Sequence, residues 1–397
     1  MNLPQRSTIH GLPDPEPAAL ECSRRLCEVI RAEIRSAGGM ISFHRYMELA
    51  LYAPGIGYYS AGSVKFGPGG DFTTAPELSP LFAACVARQC AQILDAPDAV
   101  ILELGAGSGA LAAGILDNLR AAERLPSEYL ILEPSADLRR RQSEFLDARL
   151  GRDAGRVRWL DALPENPVRG VILANEVLDA MPVHRLRLGP HAEEVGVRWN
   201  GAGFAWEVAP APPELLKHAH GALEGIDALP PHYTTEFNTD LCPWIASLAD
   251  VLEKGAILLF DYGYPRREYY HPERSEGTLI CHYRHRAHAD PFLHPGLQDI
   301  SASVDFTAVA RAGAAAGLEV GGFTTQAHFL IGCGLQELPE IAIERDERRR
   351  AEYLRQVKLL TLPGEMGERF KAIVLLRDTR GPLMGFSDID HRPRLWT

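Results

Sequence analysis

The chain has 397 residues, with 41 Lys plus Arg against 52 Asp plus Glu and a formal net charge of −11. That length suggests two domains, or one enlarged domain, with a core that needs neither disulfides nor metal. The acidic balance argues against coating a phosphate backbone, so no nucleic-acid partner is expected, and the ordinary 23% charged and 8% aromatic fractions exclude disorder for most of the chain.

Seven scattered cysteines (Cys22, Cys27, Cys85, Cys90, Cys242, Cys281, Cys333) read as buried or partly buried thiols, not as a disulfide framework or a metal site. Residues 1–20 carry four prolines and no apolar core, and read as a disordered lead-in. The longest nearly uncharged run, 99–116, contains Glu103 and four glycines, so no membrane insertion is expected and a cytoplasmic setting follows. Oligomeric state leaves no mark on the sequence.

In chain order, apolar spacing predicts helices over 18–37 and 41–51, then an irregular Gly- and aromatic-rich stretch at 55–80, then a helix over 81–94. From 98 onward, strands at 99–104, 129–132, 157–160 and 171–174 alternate with helices at 108–121 and 135–150. This rhythm predicts a parallel sheet with helices on both faces. Alternating runs at 183–188, 194–199 and 204–209 predict an antiparallel meander, followed by a Pro-rich helical stretch to 253. A buried strand at 256–260, a long polar loop at 265–304, a helix at 305–316, a strand at 318–324, helices through 358 and a strand at 371–376 complete the chain.

The fold class is therefore α/β: a doubly wound, Rossmann-like sheet with an N-terminal helical cap and an inserted antiparallel β and helical substrate region. The corresponding bounds are 1–97 for the lead-in and cap, 98–182 for the first part of the core, 183–253 for the insertion and 254–397 for the rest of the core.

The strongest local motif is V-I-L-E-L-G-A-G-S-G at 100–109, a strand ending in glycines that open a helix. Gly105, Gly107 and Gly109 let a ligand approach bare backbone, but the pattern also fits dinucleotide binding. Glu103 precedes the first glycine by two residues, awkward beside a pyrophosphate and suited to a cationic ligand such as a sulfonium with an α-amino group. Glu133 follows the next strand, where an acid can hold a ribose diol. Asp161, Asn175 and Glu176 follow the next two strands, so these groups can converge on one crevice. Glu176 and Asp179, three apart, would share a face if the chain turned helical after the strand. His282, His285, His288 and His294 are interleaved with Arg284 and Arg286, and read as a polar substrate-side loop rather than metal ligands.

These residues resemble the class I S-adenosylmethionine-dependent methyltransferases, and the likeness extends further. G-D-F-T-T-A-P-E-L-S (70–79), A-N-E-V-L-D-A-M-P-V (174–183), Q-D-I-S-A-S-V-D-F-T (298–307) and G-E-M-G-E-R-F-K (364–371) resemble the MidA family. That family includes the mitochondrial complex I assembly factor described as a protein arginine methyltransferase. Ala106 and Ala110 stand where relatives often carry Pro and Thr, which leaves the glycine loop intact.

The resemblance implies S-adenosylmethionine as cofactor and a protein acceptor, an arginine side chain in a respiratory complex I subunit being the suggested case. The expected cofactor residues are Glu103, Gly105, Gly107, Gly109, Glu133, Asp161, Asn175 and Thr74. Asp71, Phe72, Thr73 and Glu77 form an expected lid or substrate contact, and Glu176 and Asp179 the catalytic pair. A guanidinium keeps its charge in water, so carboxylates must orient it and take its proton. Two other readings stay open on residues alone: a non-catalytic assembly chaperone that binds the same cofactor, and an NAD(P)-dependent oxidoreductase.

Overall fold

The computed structural model describes residues 12–61, 73–189, 191–226 and 229–396. Two compact units divide the chain, each assembled from three stretches. The first unit holds Met1–Phe72, Leu178–Leu241 and Arg266–Ser303; the second holds Thr73–Val177, Cys242–Pro265 and Val304–Thr397. Residues 266–303, grouped with the core on sequence grounds, thus cluster with the N-terminal and meander segments.

The second unit is organised by one sheet. Its strands are β1 (Val100–Leu104), β2 (Tyr129–Leu132), β3 (Val157–Leu160), β4 (Val168–Asn175), β5 (Leu252–Tyr264), β6 (Glu319–Thr325) and β7 (Phe370–Arg377). Their spatial order is β6-β7-β5-β4-β1-β2-β3, and a two-residue strand, Val304–Asp305, also pairs with the end of β5. Strands β1 to β5 run parallel. Strand β7 is antiparallel to both β5 and β6, so the sheet is mixed rather than parallel throughout. An antiparallel neighbour needs no crossover of the sheet, which is how β7 enters between β5 and β6.

Continuous apolar runs such as Val100-Ile101-Leu102 make strands buried on both faces. Ile101, Ile131, Leu173, Leu258 and Val374 share a core with helices Pro80–Ile93 and Ala110–Ala121. Phe260 anchors it, with ring centroids 5.2 Å from Phe82 and 4.8 Å from Phe329. Helix Pro80–Ile93 begins where Ser79 Oγ accepts from Leu81 N, with Pro80 in the first turn, where its missing N–H costs nothing.

In the first unit, helices Pro17–Ser36 and Phe43–Tyr52 bury Leu26, Ile30, Phe43, Tyr46 and Met47. Ser42 caps the second of these, its Oγ accepting from Arg45 N at 3.1 Å. The meander His184–Arg187, Glu193–Trp199 and Phe204–Pro210 forms as expected, but it gains a fourth strand. Thr234–Phe237 pairs antiparallel with His184–Arg187, inside the Pro-rich stretch expected to be helical. The polar stretch 265–304 is also more ordered than its composition suggests. Ile280–Tyr283 pairs antiparallel with both Arg286–His288 and Asp299–Ser301.

Candidate active site

The strand register of the second unit determines which side chains meet. Leu104 lies opposite Leu132 and Ala174, Leu132 opposite Leu160, and Ala174 opposite Leu259. One residue further, Gly105, Glu133, Asp161 and Asn175 form a single row along the carboxyl edge. The order reverses at β1, because β2 and β4 flank it, and a doubly wound sheet opens its ligand crevice at that switch point.

Gly105, Gly107 and Gly109 have φ of 66°, 55° and 85°, the left-handed region that only glycine adopts without strain. The loop turns tightly and hands the chain to helix Ala110–Ala121, whose N-cap is Gly109. Gly105 N donates to Leu132 O at 3.2 Å and Gly109 N to Ala106 O at 2.8 Å, which hold the turn in shape, and with no side chain on the glycines its backbone can be approached closely by a ligand. Glu133, 5% exposed, is oriented on both oxygens: Oε1 accepts from Ser135 N at 2.9 Å and Oε2 from Gln142 Nε2 at 3.3 Å. Asp161 is at the exposed rim, its Oδ1 2.6 Å from Arg139 Nη2.

Asn175 ends β4, and Glu176 follows it with φ 54°. A non-glycine residue in that region is uncommon, and strain of this kind concentrates where side chains are aimed for function. Glu176 N donates to Phe260 O at 2.9 Å, which holds the residue beside β5, and its Oε1 accepts from Asn175 Nδ2 at 3.1 Å. The expected helical turn carrying Glu176 and Asp179 does not form. Residues 176–181 contain no helix, and Asp179 falls in the other compact unit, where its backbone carbonyl accepts from Ala302 N. Positive φ at Glu176 is incompatible with a right-handed helix starting there, which is why the three-residue spacing fails to pair them.

Asp71 and Phe72 of the expected lid lie outside the described residues. Thr73 is exposed; Thr74, in an extended conformation, is the N-cap of the one-turn helix Ala75–Leu78, on which Glu77 sits.

The chain as a whole is similar to known proteins. A family model for S-adenosyl-L-methionine-dependent methyltransferases matches residues 85–324, more than half of the chain. The chain belongs to that methyltransferase family. A crystal structure of a Burkholderia thailandensis protein bound to S-adenosyl-homocysteine is 45% identical with a TM-score of 0.91, covering 96% of this chain and 100% of its own. A native structure from the same organism is 44% identical with a TM-score of 0.89 and the same coverage. Among curated proteins, the mitochondrial protein arginine methyltransferase NDUFAF7 of Danio rerio is 26% identical over 87% of this chain and 85% of its own length. The human protein of that name is 26% identical over 86% and 81%. The cofactor of this methyltransferase is S-adenosylmethionine, and the dinucleotide reading of the glycine loop is set aside.

Three contributors to this edge escape motif reading: Gln142, Trp159 and Arg139. Gln142 is fully buried and donates to Gly107 O at 2.9 Å as well as to Glu133, while its Oε1 accepts from Trp159 Nε1 at 2.8 Å. Arg139 donates to Glu133 O and to Leu160 O, so it ties the ends of β2 and β3 together. The signal for Gln142 was present in the sequence. It interrupts a buried stripe of Leu138, Leu146 and Leu150 on helix Ala136–Leu150, and a polar residue inside a leucine stripe needs partners.

Glu103 departs from the open carboxylate expected of it. Alternation puts it on the same face as Ile101, under the helical layer, where it is 2% exposed and accepts from Tyr129 Oη at 2.8 Å. Burial raises its pKa from 4.5 to about 7, partly countered by the Tyr129 hydrogen bond. A folded-state pKa above the unfolded one means the native state holds more protons between these values. This group's stabilising contribution is therefore complete below pH 4.5 and is lost as pH rises toward 7, by about 3 kcal/mol in all. Urea unfolding across that window is expected to show wild type losing stability relative to Glu103→Gln as pH rises. Parallel curves would contradict a buried, protonated Glu103.

Proposed function

We propose that the chain is a protein arginine methyltransferase in which Glu176 is the acidic group that engages the acceptor. The observation that carries this reading is Glu176 itself: a carboxylate in a left-handed backbone conformation, one residue past the carboxyl edge and beside the glycine loop. Val177 Cγ2 would come within 3.3 Å of a Cβ added at Gly105, so this segment packs against the loop. When bound, S-adenosylmethionine supplies an electrophilic methyl group on a sulfonium. Gly105, Gly107 and Gly109 would receive it through backbone, and Glu133 would accept hydrogen bonds from the ribose hydroxyls. Asp161 and Asn175 would flank it at the same edge.

Glu176 would orient the guanidinium by charge-assisted hydrogen bonds and take, directly or through water, the N–H proton released as the N–C bond forms and the S–C bond breaks. The arginine assignment is further supported by the NDUFAF7 relatives, which are protein arginine methyltransferases by name. A complex I subunit, the acceptor suggested by the resemblance to the MidA family, is the first to test. A cytoplasmic setting is proposed from the seven free cysteines.

The test is transfer of labelled methyl from S-adenosylmethionine into an extract of cells lacking this chain, followed by hydrolysis of the protein fraction. Label in methylarginine is the expected result. Label confined to other methylated amino acids would overturn the arginine assignment, while leaving the methyltransferase family intact.

A further inference from the structure

We propose that Gln142 is a positioning residue that couples the glycine loop to the ribose acceptor, and so sets how strongly the site discriminates a ribose from a deoxyribose. The inference rests on the reading of Glu133 as the ribose ligand. Gln142 sits at the middle of helix Ala136–Leu150 with no exposed surface. Its two amide hydrogens go to different parts of the site, one to Gly107 O at 2.9 Å and one to Glu133 Oε2 at 3.3 Å. Its carbonyl is in turn fixed by the Trp159 indole N–H at 2.8 Å, which decides which way the amide faces.

This arrangement matters because both targets are acceptors. A buried carboxylate can turn about its last torsion, and its angle decides whether two ribose hydroxyls can donate to it together. Ser135 N on Oε1 and Gln142 Nε2 on Oε2 hold that angle. The same amide holds the carbonyl of the central glycine, whose φ of 55° the loop needs to present its N–H groups. One side chain thus sets the distance between the part of the site that meets the ribose and the part that meets bare backbone. Replacing it with an acceptor-only or apolar group would remove this donor from both Gly107 O and Glu133 Oε2, leaving the carboxylate angle less tightly held. A purely structural role would lower stability and weaken every ligand alike. A positioning role changes the ratio between ligands.

The experiment measures dissociation constants of the intact chain for S-adenosyl-homocysteine and its 2′-deoxyribose analogue by calorimetry. Gln142→Glu, near-isosteric and still able to accept from Trp159, is compared with wild type. Trp159→Phe is the second variant, since it releases the Gln142 amide from a half-exposed position without touching Gly107 or Glu133. Wild type is expected to prefer the ribose form by about tenfold or more, the worth of one good hydrogen bond to a charged group. Gln142→Glu is expected to lose most of that preference, and Trp159→Phe to lose part of it, a few-fold on the same scale.

A preference retained in both variants, even with uniformly weaker binding, would overturn the positioning role. If wild type itself bound both ligands equally, the ribose reading of Glu133 would fail, and the coupling with it. Should Gln142→Glu not fold, the ratio in Trp159→Phe decides.

Discussion

Gly107→Val abolishes binding of S-adenosyl-homocysteine, with affinity expected to fall about 100-fold or more while the chain stays folded. Gly107 has φ 55°, where a residue with a Cβ is strained by roughly 1–2 kcal/mol and a β-branched one by more. The loop can relieve that strain only by swinging φ negative, which re-aims the N–H groups at the mouth of helix Ala110–Ala121 and breaks the Gly107 O hydrogen bond from Gln142. The turn is local and the sheet core beneath it is untouched, so circular dichroism should show a native spectrum. Gly107→Ala carries the smaller penalty and is expected to bind about tenfold more weakly than wild type. Calorimetric titration decides between these outcomes, and wild-type affinity in Gly107→Val would remove the glycine loop from the cofactor site.

Glu176→Gln should separate chemistry from binding. The amide keeps the size of the carboxylate and one acceptor oxygen, so the cofactor's dissociation constant is expected to stay within about threefold of wild type. It cannot take a proton or pair with a guanidinium. Methyl transfer is therefore expected to slow by about 100-fold or more, the usual range for losing a positioned proton acceptor. A kcat within a few-fold of wild type would show that the carboxylate does not act in the transfer step. Backbone strain at the position should not confuse the comparison, because Gln meets the same left-handed penalty as Glu.

The carboxyl-edge row was legible because it follows from strand periodicity alone. Once continuous apolar runs place β1 to β4, the residues after Leu104, Leu132, Leu160 and Ala174 must share an edge, and the register bears this out. What lay beyond reach depended on partners distant in sequence. Thr234–Phe237 is four residues shortly after Pro230 and Pro231, and its pairing with His184–Arg187 makes it a strand. The hairpin at Ile280–Tyr283 is stabilised by Asp299–Ser301 across a gap of polar chain that carries no periodic pattern.

Site chemistry divides the same way. Glu103 reads as a charged group near a cationic ligand, yet its side-chain direction puts it against Tyr129 and under a helix, where desolvation disfavours the charge. Glu176 and Asp179 read as partners because three-residue spacing is favourable on a helix. The left-handed turn at Glu176 is a tertiary outcome, fixed by its N–H bond to Phe260 O, and no local motif announces it.

The most direct measurement is a proteome-wide comparison of methylated peptides, by mass spectrometry, in a strain deleted for this chain and complemented with wild type or with Glu176→Gln. The account predicts at least one protein whose methylarginine depends on wild type and is missing in both the deletion and the Glu176→Gln strain. Full methylation restored by Glu176→Gln, or no arginine site that responds to the deletion, would contradict it.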